Sequence, residues 1–255
     1  MNDPLPVPLL GPVVGLSPTT VYRWRRCRRH YLLRNVLQLP AVDGGPWADE
    51  GLKVHAILRI AHEHGSCADK EWLDEVVENH AMSDADRLRG FLDRHATRCP
   101  QGAETLGHEL ELARLHREPA PVFMATASID AAWIHDGVLD ARDYKTGAGW
   151  TGELADDPRA RVQAHVLAPE ASRRGLRLRL RYEYLSGEVG EDPPSWEPDA
   201  DQLAAIDEEL RHIAEAMRAE REFAGVADAA VCRFCEYRSI CRDAVADPAG
   251  DSQPE

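Results

Sequence analysis

Cys232, Cys235 and Cys241 fall within ten residues, as C-R-F-C-E-Y-R-S-I-C, and a fourth cysteine, Cys27, lies about 200 residues earlier in this 255-residue chain. Packing alone does not call for three thiols so close together. Thiolates in such a set hold zinc or an iron–sulfur cluster. If all four serve one inorganic centre, two segments far apart in the chain are clasped together. Closing so long a loop removes chain entropy from the unfolded state.

Between the cysteines lies a second constellation: His55, Asp130 and the run Asp143-Tyr144-Lys145. Asp136-Gly137 is a hairpin turn signal, and a hairpin there brings Asp130 beside Asp143. Side chains alternate along a strand, so Asp143 and Lys145 share one face and Tyr144 takes the other. Two carboxylates can hold a hard divalent cation, which polarises a phosphoryl oxygen and acidifies water. A lysine beside them orients that water or offsets charge in the transition state. Taken alone, the pattern also describes a surface hairpin with a salt bridge.

The order of these residues resembles the PD-(D/E)xK nucleases, and within them the RecB and Cas4-like branch with a four-cysteine iron–sulfur cluster. Gly51-Leu52-Lys53-Val54-His55 is similar to that branch's G-x-x-x-H segment, and Ser128-Ile129-Asp130 to its aspartate motif. Asp143-Tyr144-Lys145-Thr146-Gly147 matches its D-Y-K-T-G run, and Gln163-Ala164-His165-Val166-Leu167 resembles its Q-x-x-x-Y helix. Arg26-Cys27-Arg28-Arg29-His30-Tyr31 looks like its arginine–cysteine entry helix. The resemblance spans about residues 17–242. Departures fall at Ala127, where the branch often has Gly, at Leu167 in place of Tyr, and at Arg28 in place of Pro. None removes an expected ligand.

The resemblance implies a restriction-endonuclease-like α/β core, a mixed sheet flanked by helices. It assigns His55, Asp130, Asp143 and the Tyr144 carbonyl to a metal, Lys145 to catalysis and Gln163 to the substrate or the lysine. An imidazole ligand suits Mn²⁺ at least as well as Mg²⁺. Cys27, Cys232, Cys235 and Cys241 are the expected cluster ligands. Zinc ribbons usually present two C-x-x-C pairs; the one-plus-three arrangement, with these motifs between, favours [4Fe–4S] and leaves Zn²⁺ as the alternative. The implied activity is that of a metal-dependent deoxyribonuclease, an exonuclease acting on single-stranded DNA. RecB-like proteins serve repair and recombination and Cas4-like ones CRISPR spacer acquisition, so a helicase or an adaptation protein is an expected partner. A catalytically silent nucleic-acid-binding subunit of a larger complex is the alternative, and a zinc-clasped adaptor a third reading.

The elements that position these groups are legible in outline. Residues 1–16 read as a flexible arm. Ser17-Pro18 caps a helix over 18–34, in which Tyr22, Arg23, Trp24 and Arg26 could line a groove for single-stranded DNA, the aromatics stacking on bases or packing inward. Helices are expected over 47–64, 69–80 and 83–98, the first presenting Leu52, His55, Ala56 and Ile60 on adjacent faces. Short strands follow over 108–116, 122–129, 131–134 and 138–144, with Asp130 at a strand end and Glu109 and Glu111 facing the sheet, exposed or near the site. A helix over 158–173, an alternating strand over 176–185 and an amphipathic helix over 199–223 complete one domain, 17–242, divided into a helical part (17–100), a catalytic sheet (101–190) and a helix with the cysteine cluster (199–242). Residues 243–255 read as a disordered acidic tail.

Hydrophobic residues make up 44 % of the chain and charged residues 29 %, an ordinary globular composition. No apolar run approaches the ~20 residues that span a bilayer. Met1–Leu16 is broken by Pro4, Pro6, Pro8 and Pro12 and lacks a basic leader, so it does not read as a secretory signal. A cytoplasmic setting keeps thiols reduced, and six cysteines are then not three disulfides. Cys67 and Cys99 lack partners at ligand spacing and read as ordinary interior or surface thiols; His62-Glu63-His64 reads as a helix end. The net charge of −14 argues against a protein that coats nucleic acid. Two basic runs, 23–34 and 173–181, remain open to phosphate contact or to a solvated helix face.

Overall fold

The computed structural model describes residues 13–40, 46–65, 67, 69–79, 85–100, 102–147, 152–186 and 193–245. The expected arm up to residue 12, residues 41–45 and the expected tail from 246 lie outside the described residues.

Val14–Leu16 forms β1, followed by α1 (Pro18–Arg26) and the short α2 (Arg28–Tyr31), which continues into a π-helical turn at Leu32–Val36. Then come α3 (Pro46–Glu63), α4 (Lys70–Asn79) and α5 (Ala85–Arg98), and three strands, β2 (Glu104–His116), β3 (Phe123–His135) and β4 (Val138–Lys145). After α6 (Pro158–Arg173) the chain forms β5 (Arg177–Tyr184), β6 (Ser195–Trp196), α7 (Ala200–Ala219) and α8 (Ala229–Arg233). Asp136 and Gly137 both take positive φ, 51° and 70°, which makes the tight β3–β4 turn the sequence promised. Helix α6 crosses over between β4 and β5, whose pairing is parallel.

The long strand β3 is the axis of this mixed six-stranded sheet. Along one edge it pairs with β2 from end to end. Its other edge is divided. Strand β1 runs parallel to its start, from Val14↔Phe123 to Leu16↔Ala125, and β4 runs antiparallel to its end, from Ala131↔Arg142 to His135↔Val138. The sheet therefore forks at residues 126–130. Pleating changes phase there too: Ile129 and Ala132 face the larger core, whereas Ala131 and Trp133 face the smaller one. Opposite Asp130 sits Glu109, whose φ of 48° disturbs β2. Irregularities of this kind re-aim a side chain.

Helices cover both faces. The larger core joins Trp24 of α1, Leu167 of α6 and Ile206 and Leu210 of α7 to the sheet. The smaller one joins Val54 and Leu58 of α3, Leu73 of α4 and Leu88 of α5 to Trp133 and Tyr144.

Four expectations need correction. Residues 14–16 are not part of an arm: Val14 and Leu16 are buried in the core, which holds β1 in place. The single helix over 18–34 is broken at Cys27, whose extended backbone (φ −163°, ψ 117°) separates α1 from α2. The strands expected over 122–129 and 131–134 are one continuous strand, so Asp130 sits inside β3 rather than at its end. On α3 the core face is Val54, Ile57, Leu58 and Ala61, and Leu52 is 71 % exposed.

His165 gives the fold a pH dependence. It is buried on α6 with Arg114 Nη1 3.3 Å from its Nδ1, Asp207 at 3.4 Å, and His116 nearby. Burial first, then the Arg114 charge, push its pKa from 6.5 down to about 4, against the pull of Asp207. Below pH 6.5 the unfolded chain binds a proton here that the folded chain refuses, so stability declines as pH falls toward 4. Urea melts across pH 7 to 4 are expected to show His165→Gln losing on the order of 2–3 kcal/mol less stability than the parent. Identical acid limbs in the two proteins would refute this.

Candidate active site and cysteine pocket

Where the sheet forks, a cleft of about 390 Å³ opens, lined among others by Asp130, Asp143, Lys145, Gln163, Glu111 and Arg159. Strand β4 supplies Asp143 and Lys145 on one face, two residues apart, as the pleat requires. Tyr144 points the other way and is buried in the smaller core. Helix α6, capped by Asp157 and opening with Pro158, carries Gln163 over the sheet.

Asp130 is almost fully buried and its two oxygens do different work. Oδ2 accepts the backbone N–H of Tyr144 at 2.6 Å, and Oδ1 lies 3.3 Å from Nδ1 of His55 on α3. The other ring nitrogen of His55, Nε2, is 3.2 Å from the Tyr144 carbonyl oxygen. Burial pulls the His55 imidazole toward lower pKa, but the Asp130 carboxylate outweighs it and leaves the ring above its usual value. Asp143 is held separately: Gln163 Nε2 donates to its Oδ1 at 3.1 Å and the Lys145 ammonium pairs with its Oδ2. Burial lowers Lys145 to about 8, with Arg159 adding to the effect and Asp130 opposing it.

His55, Asp130 and Glu109 offer ligand atoms that all lie within 4.8 Å of one another. Asp143 shares the cleft with Asp130, but its carboxylate is engaged by Lys145 and Gln163 and does not join that group. Glu109 is exposed and lies beside Asp130, as the β2–β3 register requires. Leu167, standing where a Tyr was looked for, is fully buried in the larger core.

Cys27, Cys232, Cys235 and Cys241 line one pocket together with Arg26, Arg29 and His30. The break between α1 and α2 places Cys27 there. Burial raises the Cys235 thiol, and the neighbouring Cys27 and Cys241 raise it further. His30 pairs with Glu236 at 3.0 Å and Arg29 with Asp243 at 3.1 Å, joining α2 to the segment around the last cysteines. Asp243 therefore belongs to this assembly, although the sequence placed it in the tail.

Trp24 is not a stacking surface. It is buried edge-on to Tyr31 at 5.1 Å, with Arg28 over its ring. Tyr22 is half-buried between Arg26, which donates to its hydroxyl at 2.9 Å, and Arg159 of the cleft wall. Arg23 and Arg26 are half-buried on the same helix. The second basic run is internally neutralised: Arg173 and Arg174 pair with Glu170, Arg177 and Arg179 with Glu197, and Arg181 with Asp140. Sequence reasoning missed a further cluster altogether. His62, Cys67, His95 and Cys99 also converge to within 4.8 Å, and the signal was there in the paired H-x₄-C and H-x₃-C spacings at two helix ends.

A family model described as the PD-(D/E)XK nuclease superfamily matches residues 15–242. Among curated proteins none matches the chain. Among solved structures, the crystal structure of SSO0001 is similar at 14 % identity with a TM-score of 0.34, over 76 % of this chain and 83 % of that one. Among the described residues no helix is long and apolar enough to cross a membrane.

The Asp130–Tyr144 hydrogen bond yields a direct test. Asp130→Ala leaves a buried N–H without its acceptor and is expected to lower stability in metal-free buffer by about 1–3 kcal/mol. Asp130→Asn retains an acceptor oxygen and should lose clearly less. Equal losses in urea unfolding would show that the bond does not hold the strand end.

Proposed function

Because the chain belongs to the PD-(D/E)XK nuclease superfamily, and is thereby a hydrolase of nucleic acid that uses a divalent metal, we propose that it is a deoxyribonuclease digesting single-stranded DNA from an end, with an iron–sulfur clasp. The observation that carries the reading is the cleft at the sheet fork, where Asp130, Asp143, Lys145 and Gln163 face one another.

The donor set fits a divalent cation. An imidazole, two carboxylates and a main-chain carbonyl are the ligand types that manganese and magnesium share, and the imidazole tilts the choice toward manganese. His55, Asp130 and the Tyr144 carbonyl would hold it, with Asp143 joining once its carboxylate turns from Lys145 and Gln163. When bound, the ion supplies Lewis acidity toward a phosphoryl oxygen and toward the attacking water. Asp130 orients its ligand atom by anchoring the other oxygen on Tyr144 N–H. Gln163 fixes Asp143. Lys145, drawn down by burial yet still largely protonated at neutral pH, places a positive charge beside the phosphodiester and offsets the charge that builds on it. With a net charge of −14, the protein gains little from a long duplex; the contact is short, confined to the cleft and to Tyr22, Arg23 and Arg26 on α1, where Tyr22 lies beside Arg159 of the cleft wall. Trp24 has no part in it.

The four-cysteine pocket suits a [4Fe–4S] cluster in a structural role, tying α1 and α2 to the segment after α7. The same cluster chemistry underlies the proposed kinship with RecB-like and Cas4-like nucleases, and with it service in repair or spacer acquisition beside a helicase or adaptation partner.

Two experiments bear on this. With Mn²⁺ and end-labelled DNA, linear single strands should be shortened while circular single strands survive; cutting of circles would replace the exonuclease reading by an endonuclease. Lys145→Ala should slow cleavage about 10²–10³-fold with DNA binding retained, and an unaffected variant would place the chemistry elsewhere. Wild-type protein that binds but never cuts would favour the silent subunit. Separately, anaerobically isolated protein should be brown, with iron and acid-labile sulfide that Cys232→Ser loses together with thermal stability. Lack of both after reconstitution would rule the cluster out.

A further inference from the structure

Behind the active-site strand, on the opposite face of the sheet from the cleft helix α6, lies the cluster of His62, Cys67, His95 and Cys99. It involves neither the carboxylate cleft nor the four-cysteine pocket. Its architecture is repeated: α3 carries His62 in its last turn with Cys67 soon after its end, and α5 carries His95 in its last turn with Cys99 directly after its end. Two helix ends thus each contribute one imidazole and one thiol to the same point.

Local geometry is that of a ligand set. The ligand atoms lie within 4.8 Å of one another, and the two Nε2 atoms of His62 and His95 approach to 2.9 Å, so both rings aim the same nitrogen at the centre. Tetrahedral zinc, with bonds of ~2.0–2.1 Å to nitrogen and ~2.3 Å to sulfur, sets its ligand atoms roughly 3.3–3.8 Å apart. Small adjustments of the four side chains reach that spacing. Cys67 and His95 are buried, at 4 % and 1 % exposure, and His62 and Cys99 are half-buried.

The surroundings repeat the logic of a metal centre. His95 turns its other nitrogen, Nδ1, to Glu183 Oε1 at 2.9 Å, the imidazole–carboxylate arrangement that fixes a ligating ring in place. Glu183 is itself fully buried and held by Arg142 at 3.1 Å. His62 stacks on His108 at 4.6 Å and meets Trp133 edge-on at 5.1 Å, which locks its plane. The sulfurs of Cys67 and Cys99 converge on the same point as the two imidazole nitrogens. The four groups sit against an apolar core of Leu73, Leu88 and Leu92, where polar atoms without a partner are costly.

We propose that His62, Cys67, His95 and Cys99 bind one zinc ion in a closed, four-coordinate structural site of the Cys₂His₂ type. Two thiolates with two imidazoles suit zinc among the common divalent ions. Binding releases the thiol protons of Cys67 and Cys99 to solvent. All four coordination positions are taken by protein, which leaves none for a substrate and assigns the ion to holding α3 and α5 on the sheet. The site stands whether or not the cleft cleaves DNA.

Zinc X-ray absorption on the full-length protein, after a chelator wash that strips weakly held ions, tests this. The expected result is one zinc per chain with two sulfur ligands at ~2.3 Å and two nitrogen ligands at ~2.0–2.1 Å. Cys99→Ser should lower zinc content at least tenfold. Glu183→Gln, which keeps the shape but not the charge, should weaken zinc in competition with a chromophoric chelator about 10–100-fold, and covers the case in which Cys99→Ser does not fold. Zinc surrounded by four sulfurs and unchanged in Cys99→Ser would place the ion in the other cysteine pocket and overturn the proposal. Protein with titratable thiols at 67 and 99 that takes up no zinc or cobalt would overturn it as well, as would a Cys67–Cys99 disulfide in place of a metal.

Discussion

The side chain of Asp130 takes over from a main-chain carbonyl at the point where β3 and β4 part. The ladder between these strands closes its last pair at Ala131↔Arg142, and the next N–H that needs an acceptor, that of Tyr144, finds it in a carboxylate. Without that substitution the end of β4 would have to pair on or fray. With it, the strands diverge while their ends stay ordered, and the space so created is the cleft. One interaction thereby satisfies the backbone, opens the site and leaves a carboxylate oxygen turned toward His55.

Stiffness for this opening comes from behind. Asp140, Arg142 and Glu183 are fully or nearly buried and paired: Arg142 reaches both acids at 3.1 Å and donates to the carbonyl of Arg98 at 2.7 Å. Buried ion pairs are poor sources of net stability, yet this one links β4, β5 and the end of α5 through directional bonds that a sliding strand would break. Tyr144 sits between the two systems, its backbone serving the cleft and its ring packed against His95 and His55. The active-site strand is thus held by a hydrogen bond in front and a charged network behind.

Much of this was legible in the residues. The turn at Asp136-Gly137, the alternation that pairs Asp143 with Lys145, and the helix that carries Gln163 all follow from short-range rules, and all stand as expected. What sequence missed depends on contacts between distant segments. Glu183 alternates with arginines along β5, and its partners on α5 and β4 draw it inside. For Trp24 the residues leave stacking on bases and packing inward both open, and the closure of α1 on the core decides for the second. Val14 and Leu16 followed a proline-broken stretch, and their place in the sheet depends on β3, more than 100 residues away. Cys67 and Cys99 stand far apart in the sequence, and only the packing of α3 and α5 brings them together beside two histidines.

Strand β2 leaves a consequence of its own. Thirteen residues long, it pairs among the described residues only with β3, so its outer margin carries donors and acceptors without a ladder. A flat margin of that length would invite a strand from another molecule. Here the left-handed residue Glu109 interrupts it. The kink that sets a carboxylate opposite Asp130 also makes the sheet a poor template for growth, so the irregularity that shapes the site helps to keep one molecule apart from the next.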